Sequence, residues 1–501
     1  MRKRNNISEP LFHRLGRSWL QLVLVVALFM GLVATASAQV SYDTITGTLS
    51  DDGTQWAMVT PKPLALWNGT IILDLDGNSV RQSLSSTVKW LLAYGYAYGG
   101  TTRSPVNYNF VKAVDHLVTV RQAFINYYGL TPSRTIAWGL SRGGFVGRLS
   151  MEFHPEIFDG AIVMAGGGAG EIAVLNSKLD SLWVLKTLVN PESPLKIVGI
   201  PNTPAATTAE TAALTDLVKL ADSTAAGRAR LALAAAVEQF APWTVSGSAE
   251  PAPDDYDAQY AQLVWSLPVV GLNYVFSNPV VVRAPIEELS GGVVSWNHGV
   301  NYTGMLIRSG RLAFVKAMYN KAGLSLWADL VTLRDAPRIM ADPKAVAKAE
   351  KIMSYTGEIN GPIINLDNIG DPVDPPSMKI AYNDTVRIAG NNKLLRIVWV
   401  RRAGHGGQSD LEKVAAFVTL INRLDTGKWG DTSADGMSAL AQMIASETNL
   451  FSSVETLFIK YQSRKLLRPW DVSDWDSYKQ PPPTAQILQI VQYATHNFGA
   501  A

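Results

Sequence analysis

The chain of 501 residues contains no cysteine. Disulfides, thiolate nucleophiles, Cys-ligated zinc and iron–sulfur clusters are thereby excluded. Its core has to hold without covalent staples. Charge is also sparse, with 17% Asp, Glu, Lys and Arg and a formal net charge of +2. Arg2, Lys3, Arg4, Arg14 and Arg17 all lie near the start, so the remainder is slightly acidic. No clustered basic face remains to hold a nucleic acid. Histidine is scarce, at six residues. No two of them stand at metal-ligand spacing, so no metal is expected. Beyond the first forty residues no apolar run is long enough to span a membrane.

What is present begins with a targeting pattern. A basic leader runs into the apolar stretch Leu22 to Ala34, and Ala36-Ser37-Ala38 supplies small residues for a signal peptidase. Residues 1–38 are therefore expected to be a signal peptide cleaved after Ala38, with secretion or periplasmic export as the consequence. An uncleaved N-terminal anchor is the alternative. At 47% hydrophobic, the rest is ample for a large core.

Strand-like and helix-like stretches alternate after the leader. Thr44 to Leu49 and Gln55 to Thr60 read as strands joined at Asp51-Asp52-Gly53, a hairpin signal. Thr70 to Leu75 reads as a buried strand, and Val111 to Tyr128 as an amphipathic helix closed by Gly129. Alternation of this kind predicts a mostly parallel sheet flanked by helices, an α/β fold. Between about 171 and 342 the strand signals thin out and Ala- and Leu-rich helices take over. The expected organisation is a signal peptide (1–38), an N-terminal part of the core (39–170), a helical lid or cap (171–342), a C-terminal part of the core (343–425) and a helical extension with tail (426–501).

The stretch Ile136 to Gly144 carries the chemistry. It reads as a short strand, a Gly139-Leu140-Ser141-Arg142-Gly143 turn and a helix, the G-x-S-x-G arrangement of a nucleophile elbow. In such a turn Gly139 and Gly143 are expected to lack side chains for want of space. A serine hydroxyl needs a base, and the base needs an orienting acid. In this arrangement the acid and then the histidine follow the serine along the chain. His405, in Gly404-His405-Gly406, follows the strong strand signal Leu394 to Val400 and is the expected base. His298 competes, but precedes the candidate acids. The expected acid is Asp371 in Gly370-Asp371-Pro372-Val373, with Asp367 and Asp374 as competitors and Asp374 as a candidate cap for the next helix. Two N–H donors should hold an oxyanion. One is the backbone of Arg142, and the other is Gly77 or Asn78 in the loop after the third strand. The Arg142 side chain is expected to pair with a nearby carboxylate, or else to meet an acidic group on the substrate.

With these residues the chain resembles the α/β-hydrolase superfamily, over about Thr44–Gly170 and Tyr355–Leu424. The segment His154-Pro155-Glu156-Ile157-Phe158-Asp159-Gly160-Ala161 is also similar to secreted esterases of the tannase/feruloyl-esterase-like and phthalyl-amidase-like kinds. The resemblance implies a cofactor-free serine hydrolase with a Ser141, Asp371, His405 triad. Hydrolysis of a small carboxylic ester, apolar or aromatic, is the first expectation. An amidase or peptidase with the same residues is the second, and a non-catalytic secreted binding module on this scaffold the third. No nucleic-acid partner is expected, and the oligomeric state is not legible.

Overall fold

The computed structural model describes residues 40–265 and 278–469. The leader, with its expected cleavage point, lies outside these residues. One nine-stranded sheet organises the molecule. Its strands are β1 (Tyr42–Thr48), β2 (Gln55–Pro61), β3 (Thr70–Asp74), β4 (Ala97–Thr101), β5 (Arg134–Leu140), β6 (Gly160–Met164), β7 (Ile363–Gly370), β8 (Leu395–Ala403) and β9 (Phe458–Ile459). They lie side by side in the order β1-β2-β4-β3-β5-β6-β7-β8-β9. The central strands are parallel. The β1–β2 hairpin and the two-residue β9 add antiparallel edges. The hairpin turns where expected: Gly53 adopts a left-handed φ of 80°, and Asp52 accepts the Thr54 amide at 2.9 Å.

Side chains alternate across the sheet with the two-residue period of a strand. On β3, Ile71 and Leu73 face one apolar layer and Ile72 the other. The first layer is closed by α2 (Phe110–Tyr128), α3 (Arg142–Phe153) and α12 (Pro343–Met353), through residues such as Leu117, Phe145 and Val346. The second is closed by α1 (Ser86–Ala93), α14 (Asp410–Thr426) and α15 (Ala434–Ser446), through Leu91, Phe417 and Met437. The signals that stop these helices are local. Gly129 ends α2 with φ 67°, and Ser409 with Glu412 forms a reciprocal capping box at the start of α14.

Between β6 and β7 the described chain is helical. It forms α4 (Glu171–Val189), α5 (Pro204–Asp222), α6 (Ala225–Val237), α7 (Tyr256–Trp265), α8 (Asn278–Ser290), α9 (Tyr302–Ser309), α10 (Leu312–Ala322) and α11 (Leu326–Asp335). Most of these share an apolar cluster of their own, with Leu214, Leu233, Leu306 and Tyr319 inside it. Helix α4 belongs to both bodies. Ile172 and Leu175 enter the layer under the sheet, while Leu179 and Leu182 enter the helical cluster. Helix α13 (Pro376–Ile388) follows β7.

Three elements differ from the sequence reading. The spacing over Arg81 to Tyr94 predicts one helix, but the chain forms a 3-10 turn, Gly77–Arg81, and then the shorter α1. The tail, read as helical, also contributes β9, whose two residues are too few to leave a period in the sequence. The spacing over Ala258 to Leu267 predicts a further helix; the structure begins it earlier, as α7 (Tyr256–Trp265), and the last two of those positions lie outside the described residues.

Candidate active site

Three loops meet at the carboxyl ends of the central strands. The first is the turn from β5 into α3. Ser141 sits there with φ 59° and ψ −122°, a strained position for a residue with a side chain. Its amide donates to Met164 O at 2.9 Å and its carbonyl accepts the Phe145 amide at 3.1 Å. A β-carbon on Gly139 would overlap the Gly143 carbonyl, so that glycine is required by space. Gly143 is different: a β-carbon there would have its nearest neighbour, Asp74 Oδ1, at 3.4 Å, an ordinary contact. The crowded second glycine is instead Gly144, where a β-carbon would stand 2.7 Å from Met164 O.

The second loop follows β8. His405 lies between Gly404 and Gly406, whose φ values of 94° and 77° bend the chain back towards the sheet. Gly404 is fixed by its amide, which donates to Gly370 O at 3.0 Å, and by its carbonyl, which accepts Asn368 Nδ2 at 2.8 Å. Asn368 did not stand out in the sequence. Its position beside the Asp371 loop was the available hint.

The third loop follows β7 and carries Asp371. Its Oδ1 accepts the amides of Val373 at 2.8 Å and Asp374 at 3.1 Å. Both of its oxygens lie 3.0 Å from His405 Nδ1, and His405 Nε2 lies 2.7 Å from Ser141 Oγ. The structure thus brings Ser141, His405 and Asp371 into one hydrogen-bonded line. Asp367 points elsewhere, accepting the Ala165 amide at 2.7 Å. Asp374 does not cap α13, which begins after Pro375 without a side-chain cap.

Electrostatics follow from this packing. Burial works against ionisation of Asp371, but His405 outweighs it and holds the carboxyl below its usual value. Burial likewise disfavours the His405 cation, and Asp371 outweighs that too, raising the imidazole above 6.5. Nearby, Glu171 at the start of α4 is buried, and its Oε2 has no hydrogen-bond partner among the described residues. Burial and then the charge of Asp374 push Glu171 up to about 8. Asp74, at the end of β3, is pushed up to about 7 by burial and then by Asp76.

The loop after β3 reaches the elbow through Leu75 and Asp76, both within 4 Å of where a Gly143 β-carbon would sit. Arg103 grips Asp76 with two bonds, 2.7 and 2.6 Å, and donates to Leu140 O at 3.2 Å. Gly77, named from the sequence with Asn78, lies over β4, where a β-carbon would overlap the Gly99 backbone. The Asn78 side-chain oxygen is buried without a partner among the described residues. The Arg142 side chain forms no ion pair among the described residues. It donates to Asn107 O at 3.2 Å and stacks 3.8 Å over the Tyr108 ring. An aromatic face and a backbone carbonyl take the place of the expected carboxylate.

The helical insertion meets the rim of the site. A β-carbon on Gly370 would overlap Trp243 O, and one on Gly404 would stand 3.0 Å from Ser246 Cβ. Of the other histidines, His154 lies between Asp115 and Glu156. His116 lies on α2 with Asp51 and Asp52 around it, a grouping close enough to hold a metal ion. Lys112 places its own ammonium there, 3.0 Å from Asp51 and 2.8 Å from Asp52. No helix among the described residues is long and apolar enough to cross a membrane.

A nine-stranded, mostly parallel sheet in this order, with a serine on the turn after β5, defines the class: the chain is a serine hydrolase with the α/β-hydrolase fold. Among known proteins it is similar to an o-phthalyl amidase from Xanthobacter agilis, 28% identical over 415 residues, which cover 78% of this chain and 89% of that one. Two solved structures are more distantly similar. An acylaminoacyl peptidase of Pyrococcus horikoshii matches with 8% identity and a TM-score of 0.38, over 80% of this chain and 45% of its own. An esterase from Aspergillus oryzae matches with 13% identity and a TM-score of 0.35, over 79% of this chain and 82% of its own. No protein-family model matches the chain.

Proposed function

We propose that the chain hydrolyses small carboxylic esters through an acyl-enzyme on Ser141. The carrying observation is the continuous contact from Ser141 Oγ to His405 Nε2 (2.7 Å) and from His405 Nδ1 to Asp371 (3.0 Å). In this reading His405 takes the hydroxyl proton as Ser141 attacks the carbonyl, then delivers it to the leaving alcohol. Asp371 fixes the proton on Nδ1 and balances the imidazolium. Water attacks the acyl-enzyme in the second half, again with His405 as base. The Arg142 amide opens α3, where first-turn amides have no acceptor within the helix, and it suits the tetrahedral oxyanion. The second donor comes from the loop 75–78, with Gly77 and Asn78 joined as candidates by Leu75, which approaches the elbow more closely. The helical insertion over 171–342 acts as a lid that shapes the acyl pocket and excludes water. The chain is exported by its first 38 residues.

A second reading, amide hydrolysis by the same residues, is favoured by the similarity to an o-phthalyl amidase. Matched p-nitrophenyl esters and p-nitroanilides separate the two. A fluorophosphonate probe should label the purified protein and fail on Ser141→Ala, with turnover falling by about 10⁴-fold or more. Labelling of Ser141→Ala at the wild-type rate would remove Ser141 from the role.

A further inference from the structure

Two buried lysines grip the backbone of the loop that carries Asp371. They come from different parts of the molecule. Lys379, in the first turns of α13, donates to Asp374 O at 3.2 Å and stands 3.9 Å from Asp367 Oδ1. Lys178, in α4 of the helical insertion, donates to Val373 O at 3.1 Å. Lys379 is 1% exposed and Lys178 is 2% exposed. Ammonium groups are rarely placed so deep, because losing water is costly unless charge and hydrogen bonds are returned. For Lys178 the return is Glu238, at 3.1 Å, itself fixed by the Ser181 hydroxyl at 2.5 Å. For Lys379 the surroundings are acidic: Asp367 on β7, with Asp371 and Asp374 on the loop.

The two carbonyls so held belong to Val373 and Asp374. The amides of those same residues are the ones that Asp371 Oδ1 accepts. Lys178 therefore holds one side of the 373–374 peptide, whose other side, the Asp374 amide, fixes the carboxylate, and Lys379 holds the next carbonyl, that of the same Asp374. We infer that Lys178 and Lys379 are positioning residues for the Asp371–His405 pair, and that Lys178 makes the alignment of that pair depend on the helical insertion. This rests on the triad reading above. Lys379 also acts through charge. It lies near enough to oppose a proton on His405 and to favour the ionised form of Asp371. The other charges bearing on His405 are Asp371 and Asp374. The hydrogen bonds of both lysines to this loop run to its backbone, so the lysines contribute by holding geometry to a fraction of an ångström, where small misplacements cost rate.

The test uses the full chain and its best p-nitrophenyl ester. Lys379→Met and the double variant Lys178→Met/Glu238→Gln, which leaves no unpaired buried charge, should each lower kcat by at least about tenfold with KM little changed. Lys379→Met should also move the acid limb of the pH profile to higher pH, because His405 keeps its proton longer. The double variant should leave that limb in place. Lys379→Gln, which keeps a donor for Asp374 O but no charge, should move the limb as Lys379→Met does while losing less kcat. Far-ultraviolet circular dichroism and a cooperative melt establish that each variant is folded. Folded variants with wild-type kcat and an unmoved acid limb would overturn the inference. So would a loss seen in KM alone. Activity surviving in Ser141→Ala would instead overturn the triad reading itself, and the clamp with it.

Discussion

At the scale of single residues, chemistry depends on groups whose protonation the fold has shifted. In the proposed reaction His405 must be neutral to accept a proton, and its partner Asp371 raises its pKa above 6.5. The rate should therefore fall on acidification with a midpoint above 6.5, and Asp371→Asn should lower kcat by about 10³–10⁴-fold. A pH–rate profile for kcat/KM reads the first, and a midpoint below 6.5 would contradict it. Glu171 gives a stability prediction. Its folded-state value of about 8 lies above its ordinary 4.5, so the folded protein holds a proton that the unfolded chain releases. Its contribution is complete below pH 4.5 and is lost as pH rises through 8. Glu171→Gln should leave stability nearly unchanged at pH 4.5 and raise it by on the order of 5 kcal/mol at pH 9, in urea titrations at both pH values. That Ser141, Asp371 and His405 would be brought together was legible from motif position and order along the chain. Glu171, Lys178 and Lys379 were not. In sequence each is an ordinary charged residue of a helix, and only the packing shows that it is buried.

At the scale of elements, the turn from β5 into α3 is the most constrained piece of chain. Its glycines are not equivalent. Gly139→Ala should destabilise the protein by about 3 kcal/mol or more, because a β-carbon there overlaps backbone that cannot move aside. Gly143→Ala should change stability by less than about 1 kcal/mol, since its nearest neighbour is at 3.4 Å. Thermal melts of the two variants decide, and equal losses would mean that the turn is crowded throughout. A repeated glycine in the sequence marks a tight turn but does not say which copy bears the crowding. The parallel strands were readable for a related reason. Buried on both faces, they leave continuous apolar runs such as Ile71-Ile72-Leu73. Strand β9 exists only because β8 offers Trp399 and Val400 as partners, and no local signal announces that.

At the scale of the whole molecule, the insertion and the tail are tied to each other by buried contacts. Arg468 reaches back to Asp180 on α4 with a bond of 2.5 Å and to Trp296 O at 2.8 Å. Leu467 and Lys465 exchange backbone bonds with the Gln239 side chain. Arg468→Leu leaves Asp180 buried without its cation and should cost about 3–5 kcal/mol, read as a lower denaturation midpoint. A midpoint within error of wild type would show that the tail is dispensable. The sequence disclosed the insertion as a change of rhythm, but not its anchorage, because an ion pair across 288 positions has no local period. One more consequence follows from α4, whose first turns lie beneath the sheet and whose later turns lie in the helical cluster. A minimal enzyme made by excising the insertion would lose a wall of its own foundation, so transplants between relatives should join the chain ahead of Glu171, never partway along that helix.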